Sequence, residues 1–154
     1  MAYINGNEIL FSATIYNAPP FQEVIARSKT VLTSTDLMNI RVIGNSAFRS
    51  FSKLESVTFP EGVLERIETA GFRACTGLKS IVIPESCYHL GESCFYCCSA
   101  LASVTIKGRV TRFYPSAFGE CPNLKDIYVP WAEGDVLNAP WGAINATIHY
   151  ESEV

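Results

Sequence analysis

Residues 67–84 read IETAGFRACTGLKSIVIP, and the phrase returns over 43–60 as IGNSAFRSFSKLESVTFP, over 90–107 as LGESCFYCCSALASVTIK and over 113–130 as FYPSAFGECPNLKDIYVP. The four align without gaps. Their phenylalanines fall at Phe48, Phe72, Phe95 and Phe118 and their leucines at Leu54, Leu78, Leu101 and Leu124, so both sets advance by 24, 23 and 23 residues. Two more apolar columns run through all four units: Val57, Ile81, Val104 and Ile127, then Phe59, Ile83, Ile106 and Val129. Pro60, Pro84 and Pro130 close three of the units. Apolar residues two apart predict a strand with one buried face. A period of this length marks an array in which each unit, unable to bury its apolar side alone, stacks on its neighbours to share one core.

The pattern resembles the BspA-like leucine-rich repeat family, whose unit runs Ile-Gly-x-x-Ala-Phe-x-x-Cys-x-x-Leu-x-x-Ile-x-Ile-Pro over about 23 residues. The match covers Ile43 to Pro130, with weaker flanks. Departures are Phe51 in the cysteine column, Gly71 for the alanine, Glu68 and Tyr114 for the glycine, and Lys107 for the proline. The resemblance implies an α/β-type solenoid, mostly β, with about four repeats of 23–24 residues between N- and C-terminal caps.

Strands stacked about 4.8 Å apart leave a core cross-section open at each end, and caps must cover it. Residues 21–42 carry apolar residues without a full repeat and read as an N-terminal cap or degenerate repeat; 43–130 are the repeats. Residues 131–154 bring Trp131 and Trp141, expected to be lids on the core, and then an alternating strand at Ala146, Ile148 and Tyr150. Residues 1–20 stand apart. Asn5-Gly6 between short apolar segments is a hairpin signal, and Tyr16-Asn-Ala-Pro-Pro20 punctuates the chain after it. The expectation is an attachment hairpin whose Tyr3, Ile4, Ile9, Leu10 and Phe11 dock onto another protein or a second copy, not onto the solenoid.

Composition narrows the function classes. The 154 residues are 48% hydrophobic and 18% charged, enough to build a core. Their 15 acidic and 12 basic side chains, net −3, are scattered without runs, so neither a nucleic-acid nor a membrane partner is expected. No apolar run approaches the ~18 residues of a membrane span, and the chain read from Met1 shows no basic and apolar leader. Synthesis in a cytoplasm is expected.

Chemistry-bearing motifs are sparse. Cys75, Cys98 and Cys121 share one column and Cys94 takes the alanine column, so packing explains four of the six cysteines. Cys94-Phe-Tyr-Cys97 has the form of half a zinc site, but no second pair follows at ribbon spacing, and the two histidines are His89 and His149. His89 is expected in a turn between repeats and His149 at an exposed strand position. No GxSxG, HExxH or phosphate-binding glycine loop occurs. The reading is therefore no enzyme, no cofactor, no metal and no catalytic residue.

What remains is a surface. Residues flanking the buried strand positions face outward and line up across turns: Ser56 and Thr58, Ser80 and Val82, Ser103 and Thr105, Asp126 and Tyr128. An aromatic beside a carboxylate can stack on and hydrogen-bond a peptide or a sugar, which makes a host surface protein or glycan the expected partner. The opening and closing phrases of the chain are similar to end segments of leucine-rich repeat proteins in phages and prophages of gut bacteria. That similarity implies a virion component, a fibre, decoration or receptor-contacting protein made in the host cytoplasm and joined to other virion proteins or to itself. The alternative is a cell-surface or secreted bacterial adhesion module.

Overall fold

The computed structural model describes residues 2–11 and 23–151, so Tyr16 to Pro20 lie outside the described residues. Its strands are β1 (Ala2–Asn5), β2 (Glu8–Phe11), β3 (Glu23–Ile25), β4 (Val31–Leu32), β5 (Val42–Ile43), β6 (Ser56–Val57), β7 (Arg66–Ile67), β8 (Ser80–Ile83), β9 (His89–Leu90), β10 (Ser103–Ile106), β11 (Arg112–Phe113), β12 (Asp126–Tyr128) and β13 (Thr147–His149). Each repeat supplies one strand to each of two series. β5, β7, β9 and β11 pair in parallel with Ile43, Ile67, Leu90 and Phe113 in one row, forming a short-strand sheet. β8, β10, β12 and β13 form a long-strand sheet, with Ile81, Val104, Ile127 and Ile148 in register. β4 pairs with β6 at Leu32 and Val57, which makes the described part of residues 21–42 contribute a turn of the solenoid. The fold is a mostly β solenoid, with no helix among the described residues.

The path between the two sheets follows from spacing. Beyond each column phenylalanine every third residue turns inward: Phe72, Cys75, Leu78 and Ile81 are all buried, as are their equivalents in the other units. The amide of Cys75 donates to Phe72 O at 3.2 Å and that of Leu78 to Cys75 O at 3.1 Å, so the segment is a chain of three-residue turns. Ser50, Ala74, Cys97 and Glu120, two residues past the phenylalanine, have φ of 62°, 59°, 61° and 52°. That left-handed conformation aims the amide along the solenoid axis. Ser50, Ala74 and Cys97 each donate to the next turn, at Arg73 O, Tyr96 O and Gly119 O, over 2.8, 2.8 and 3.0 Å.

Inside, the phenylalanines form a continuous stack. Centroids of Phe48 and Phe72, Phe72 and Phe95, and Phe95 and Phe118 are 5.1, 5.3 and 5.5 Å apart with rings within 17° of parallel. Trp141 is fully buried and stacks on Phe113 at 4.1 Å, with Trp131 edge-on to it at 6.2 Å. Both tryptophans are lids, as their place after the last repeat suggested. At the other end Phe51 packs edge-on to Phe48, and the Arg27 guanidinium lies over its ring.

The N-terminal hairpin departs from expectation. β1 and β2 do pair antiparallel across Gly6 and Asn7, but β2 also joins β5 in parallel, with Ile9 beside Ile43. Ala2, Ile4 and Ile9 are buried in the common core. Ile4 and Ile9 are therefore not free to dock elsewhere. They cover the open end of the short-strand sheet, the end that the repeats alone leave exposed. The side chains of Tyr3, Leu10 and Phe11 lie outside the described residues, though their backbone belongs to the same hairpin.

Two substitutions test this core. Phe72→Ala removes the middle of the stack and should cost about 3–5 kcal/mol, read as a fall on the order of 10 °C in Tm; a melt within a degree or two of the parent would place this column outside the core. Ser50→Gly should have the opposite sign. Ser50 is exposed and keeps its amide bond in either form, so relief of its left-handed strain should outweigh the added unfolded-state entropy by about 0.5–1 kcal/mol in urea denaturation.

Candidate functional site

The alternation in β8, β10, β12 and β13 sends Ile81, Val104 and Ile127 inward and leaves two outward rows. Register sets Ser80, Ser103, Asp126 and Thr147 side by side in one row, and Val82, Thr105, Tyr128 and His149 in the other. Six of the eight expected strip residues thus form one continuous face. Ser56 and Thr58 are also exposed, but β6 pairs with β4, and the link to the next turn is the amide of Lys79 donating to Glu55 O at 3.3 Å.

Apart from Val82, which is 45% exposed, the rows are small and polar until their C-terminal end. There Tyr128 and His149 stack with centroids 4.4 Å apart and rings 12° from parallel. His149 Nε2 lies 2.8 Å from Asp126 Oδ1; a carboxylate only accepts, so the imidazole nitrogen carries the proton and donates. Tyr128 is 45% exposed. Two flat rings and an oriented carboxylate therefore share one exposed patch, which can stack on an apolar surface and accept hydrogen bonds beside it. His149 joins the patch because β13 extends the sheet. Its signal in the sequence is the match of Thr147-Ile-His149 to Asp126-Ile-Tyr128, at a step shorter than the repeat.

His89 is not in a turn. It stands in β9, buried, with Arg66 and Arg112 beside it in register. Its Nε2 is 3.4 Å from Glu68 Oε2, and Tyr114 meets its ring edge-on at 5.8 Å. Burial lowers its pKa below the ordinary histidine value against the pull of Glu68, and Arg112 and Arg66 lower it further. Neither imidazole bonds a thiol, and among the described residues no three metal-ligating side chains cluster.

The thiols do more than fill space. Cys75, Cys98 and Cys121 donate to Phe48 O, Phe72 O and Phe95 O at 3.1, 3.2 and 3.1 Å, each reaching the carbonyl of the phenylalanine one turn earlier. Serine at these positions could make the same bond but not bury as favourably, and alanine could not make it. Burial pushes Cys75 and Cys87 up to about 12 and Cys121 to about 11, and raises Cys94 and Cys98 as well, so these five stay protonated at neutral pH. All six are free, and Cys97 alone is half-buried.

Comparison with known proteins agrees with this geometry. The family described as BspA type Leucine rich repeat region matches residues 26–135 in six copies. The chain belongs to the BspA-type leucine-rich repeat family. The match opens inside residues 21–42, ahead of the four units most visible in the sequence. A solved leucine-rich repeat protein of T. pallidum is similar at 25% identity and a TM-score of 0.53, over 78% of this chain and 54% of that one. A leucine-rich repeat protein from Bacteroides ovatus is 26% identical over 68% of this chain and 32% of that one, with a TM-score of 0.42. The chain thus spans about half the length of the first and a third of the second. No curated protein matches it in sequence.

Burial predicts thiol reactivity. A maleimide or disulfide reagent should modify Cys97 first, with the five buried thiols slower by on the order of 100-fold until denaturant is added. Mass spectrometry of timed samples measures the order, and early modification of Cys75 or Cys98 would contradict the buried column.

Proposed function

We propose that this BspA-type protein is a non-enzymatic interaction module that contacts a partner protein through its long-strand face, with Tyr128, His149 and Asp126 at the centre. The observation that carries the reading is the half-exposed Tyr128–His149 stack at the end of a strip of otherwise small, mostly polar side chains. Rigid aromatic anchors beside near-neutral polar contacts are the usual anatomy of a binding hot spot. Membership of a leucine-rich repeat family supports the same class of function. For the setting we keep display on a phage or prophage particle, as a fibre, decoration or receptor-contacting component, on the similarity of the chain's opening and closing phrases to phage-encoded end segments. Mass spectrometry of purified particles tests that setting, and recovery from the bacterial envelope instead would make the protein a cell-surface adhesion module.

The contact itself is tested on arrayed bacterial surface proteins and glycans. Tyr128→Ala and His149→Ala should each weaken binding by about 10-fold, the equivalent of ~1.4 kcal/mol, while leaving Tm unchanged. Binding that survives both substitutions would move the contact off this face.

A further inference from the structure

The short-strand sheet stops at β11 with its bonding pattern incomplete. In each earlier turn the carbonyl just before the strand receives amides from the following turn: Asn7 O from Arg41 and Val42, Arg41 O from Glu65 and Arg66, Glu65 O from Tyr88, and Tyr88 O from Thr111 and Arg112. The carbonyls of Ile9, Ile43, Ile67 and Leu90 do the same one step on, accepting from Gly44, Glu68, Gly91 and Tyr114. The equivalent groups of the last turn are the carbonyls of Thr111 and Phe113. Phe113 O accepts from Asn138 Nδ2 at 3.3 Å, a side-chain amide standing in for the backbone amide of a next strand. Thr111 O has no donor among the described residues.

A cleft of about 700 Å³ lies on this edge, walled by residues 109–115 on one side and 135–138 on the other. Its charge is one-sided. Among the described residues Arg41 pairs with Glu65, Arg66 with Glu68 and Lys107 with Glu61, whereas Arg109 and Arg112 meet no carboxylate. Asp135 is the one acidic residue in the lining, and the Arg109 guanidinium reaches its backbone carbonyl, at 3.2 Å. Leu137 lies at the same cleft, 77% exposed.

We propose that this edge is a docking site for an extended, acidic segment of a partner protein, which adds to β11 as the next strand of the short-strand sheet. The free carbonyl supplies a main-chain bond, and side chains alternating along the added strand divide between the two guanidiniums and Leu137. Charge decides against a second copy of this chain at the same edge, because two β11 edges brought together would face Arg109 and Arg112 with their own like charges. The site belongs to the other sheet from Tyr128 and His149, so it stands or falls separately from the long-strand contact.

The test uses the whole chain and a labelled, acetylated octapeptide of alternating glutamate and valine, followed by fluorescence anisotropy at low salt. Saturable binding is expected, at least 10-fold weaker for the same peptide with lysine for glutamate. N-methylation of alternate peptide amides, in either phase, should weaken it by at least 10-fold in the phase that faces the edge. The double variant R109E/R112E should lose binding of the glutamate peptide by at least 10-fold and gain it for the lysine peptide. Both positions are exposed; should the variant nonetheless melt early, the lysine and N-methyl peptides on the unaltered protein decide the matter. Absence of saturable binding, equal binding of the two charges, or indifference to N-methylation in both phases would overturn the proposal. So would sedimentation showing that the chain dimerises through this edge.

Discussion

Two spacings have to agree along the solenoid axis, and the rest of the structure depends on their agreement. Backbone hydrogen bonding between parallel strands favours about 4.8 Å per turn, while the stacked phenylalanine rings sit 5.1–5.5 Å apart by centroid. A small ring offset reconciles them, so one side chain per turn can be repeated without strain. The thiols lock the same registry, each bonded to the carbonyl of the previous turn's phenylalanine. A change of repeat length can then be absorbed only where no ladder runs. The first unit is one residue longer than the others, and the extra residue lies between Phe59 and Ile67. There Gly62 takes φ of 75° in open space. The core columns before and after it keep their register.

Such an array has no intrinsic end, and the two ends are closed by different chemistry. At the N-terminal end the antiparallel hairpin of β1 and β2 continues the short-strand sheet and turns its direction, so the edge beyond it no longer repeats. At the C-terminal end Trp141 stacks on Phe113, and its carbonyl accepts the amide of Phe118 at 2.9 Å where a further repeat would have bonded. Gly142, with φ of 84°, allows that approach: a Cβ there would lie 2.9 Å from the Gly119 backbone. β13 extends the long-strand sheet, but among the described residues nothing succeeds β11 except the side chain of Asn138. One sheet is therefore finished in backbone and the other in a single amide.

What could be read from the sequence was whatever recurs. The phenylalanine, cysteine, leucine and valine columns were legible because each buried position returns every 23 or 24 residues, and the tryptophans because a lid must follow the last turn. The second sheet was hidden: its repeat strands β5, β7, β9 and β11 hold two residues each, and a lone inward Ile43, Ile67, Leu90 or Phe113 shows no alternation. The hairpin's apolar pattern was visible, but a pattern cannot say which surface it covers, and Ile9 fits beside Ile43 as well as against a partner. The left-handed positions gave no warning because they hold serine, alanine, cysteine and glutamate where glycine would signal them. His149 entered the site through a cap strand that breaks the period.

These constraints also place the surface available for recognition. Central turns are bonded on both sides, and their outward residues, Ser80, Val82, Ser103 and Thr105, are small and offer no aromatic anchor to a partner. The C-terminal end carries Tyr128 in β12 and His149 in the edge strand β13 on one sheet, Tyr114 and Leu137 at the other, and Ile144 at 85% exposure in the cap. The long-strand face spans only about 15 Å across its four strands, a few hundred Å² of contact at most. A stable interface buries about 800 Å² per partner, so a partner held by this face alone would bind weakly. Strength must come from the cap and its loops or from many copies on one support, where tethering multiplies avidity by about 10² to 10⁴. Both routes favour the C-terminal end, since its edge strands β11 and β13 pair on one side only among the described residues and can change their outward side chains without breaking a second ladder.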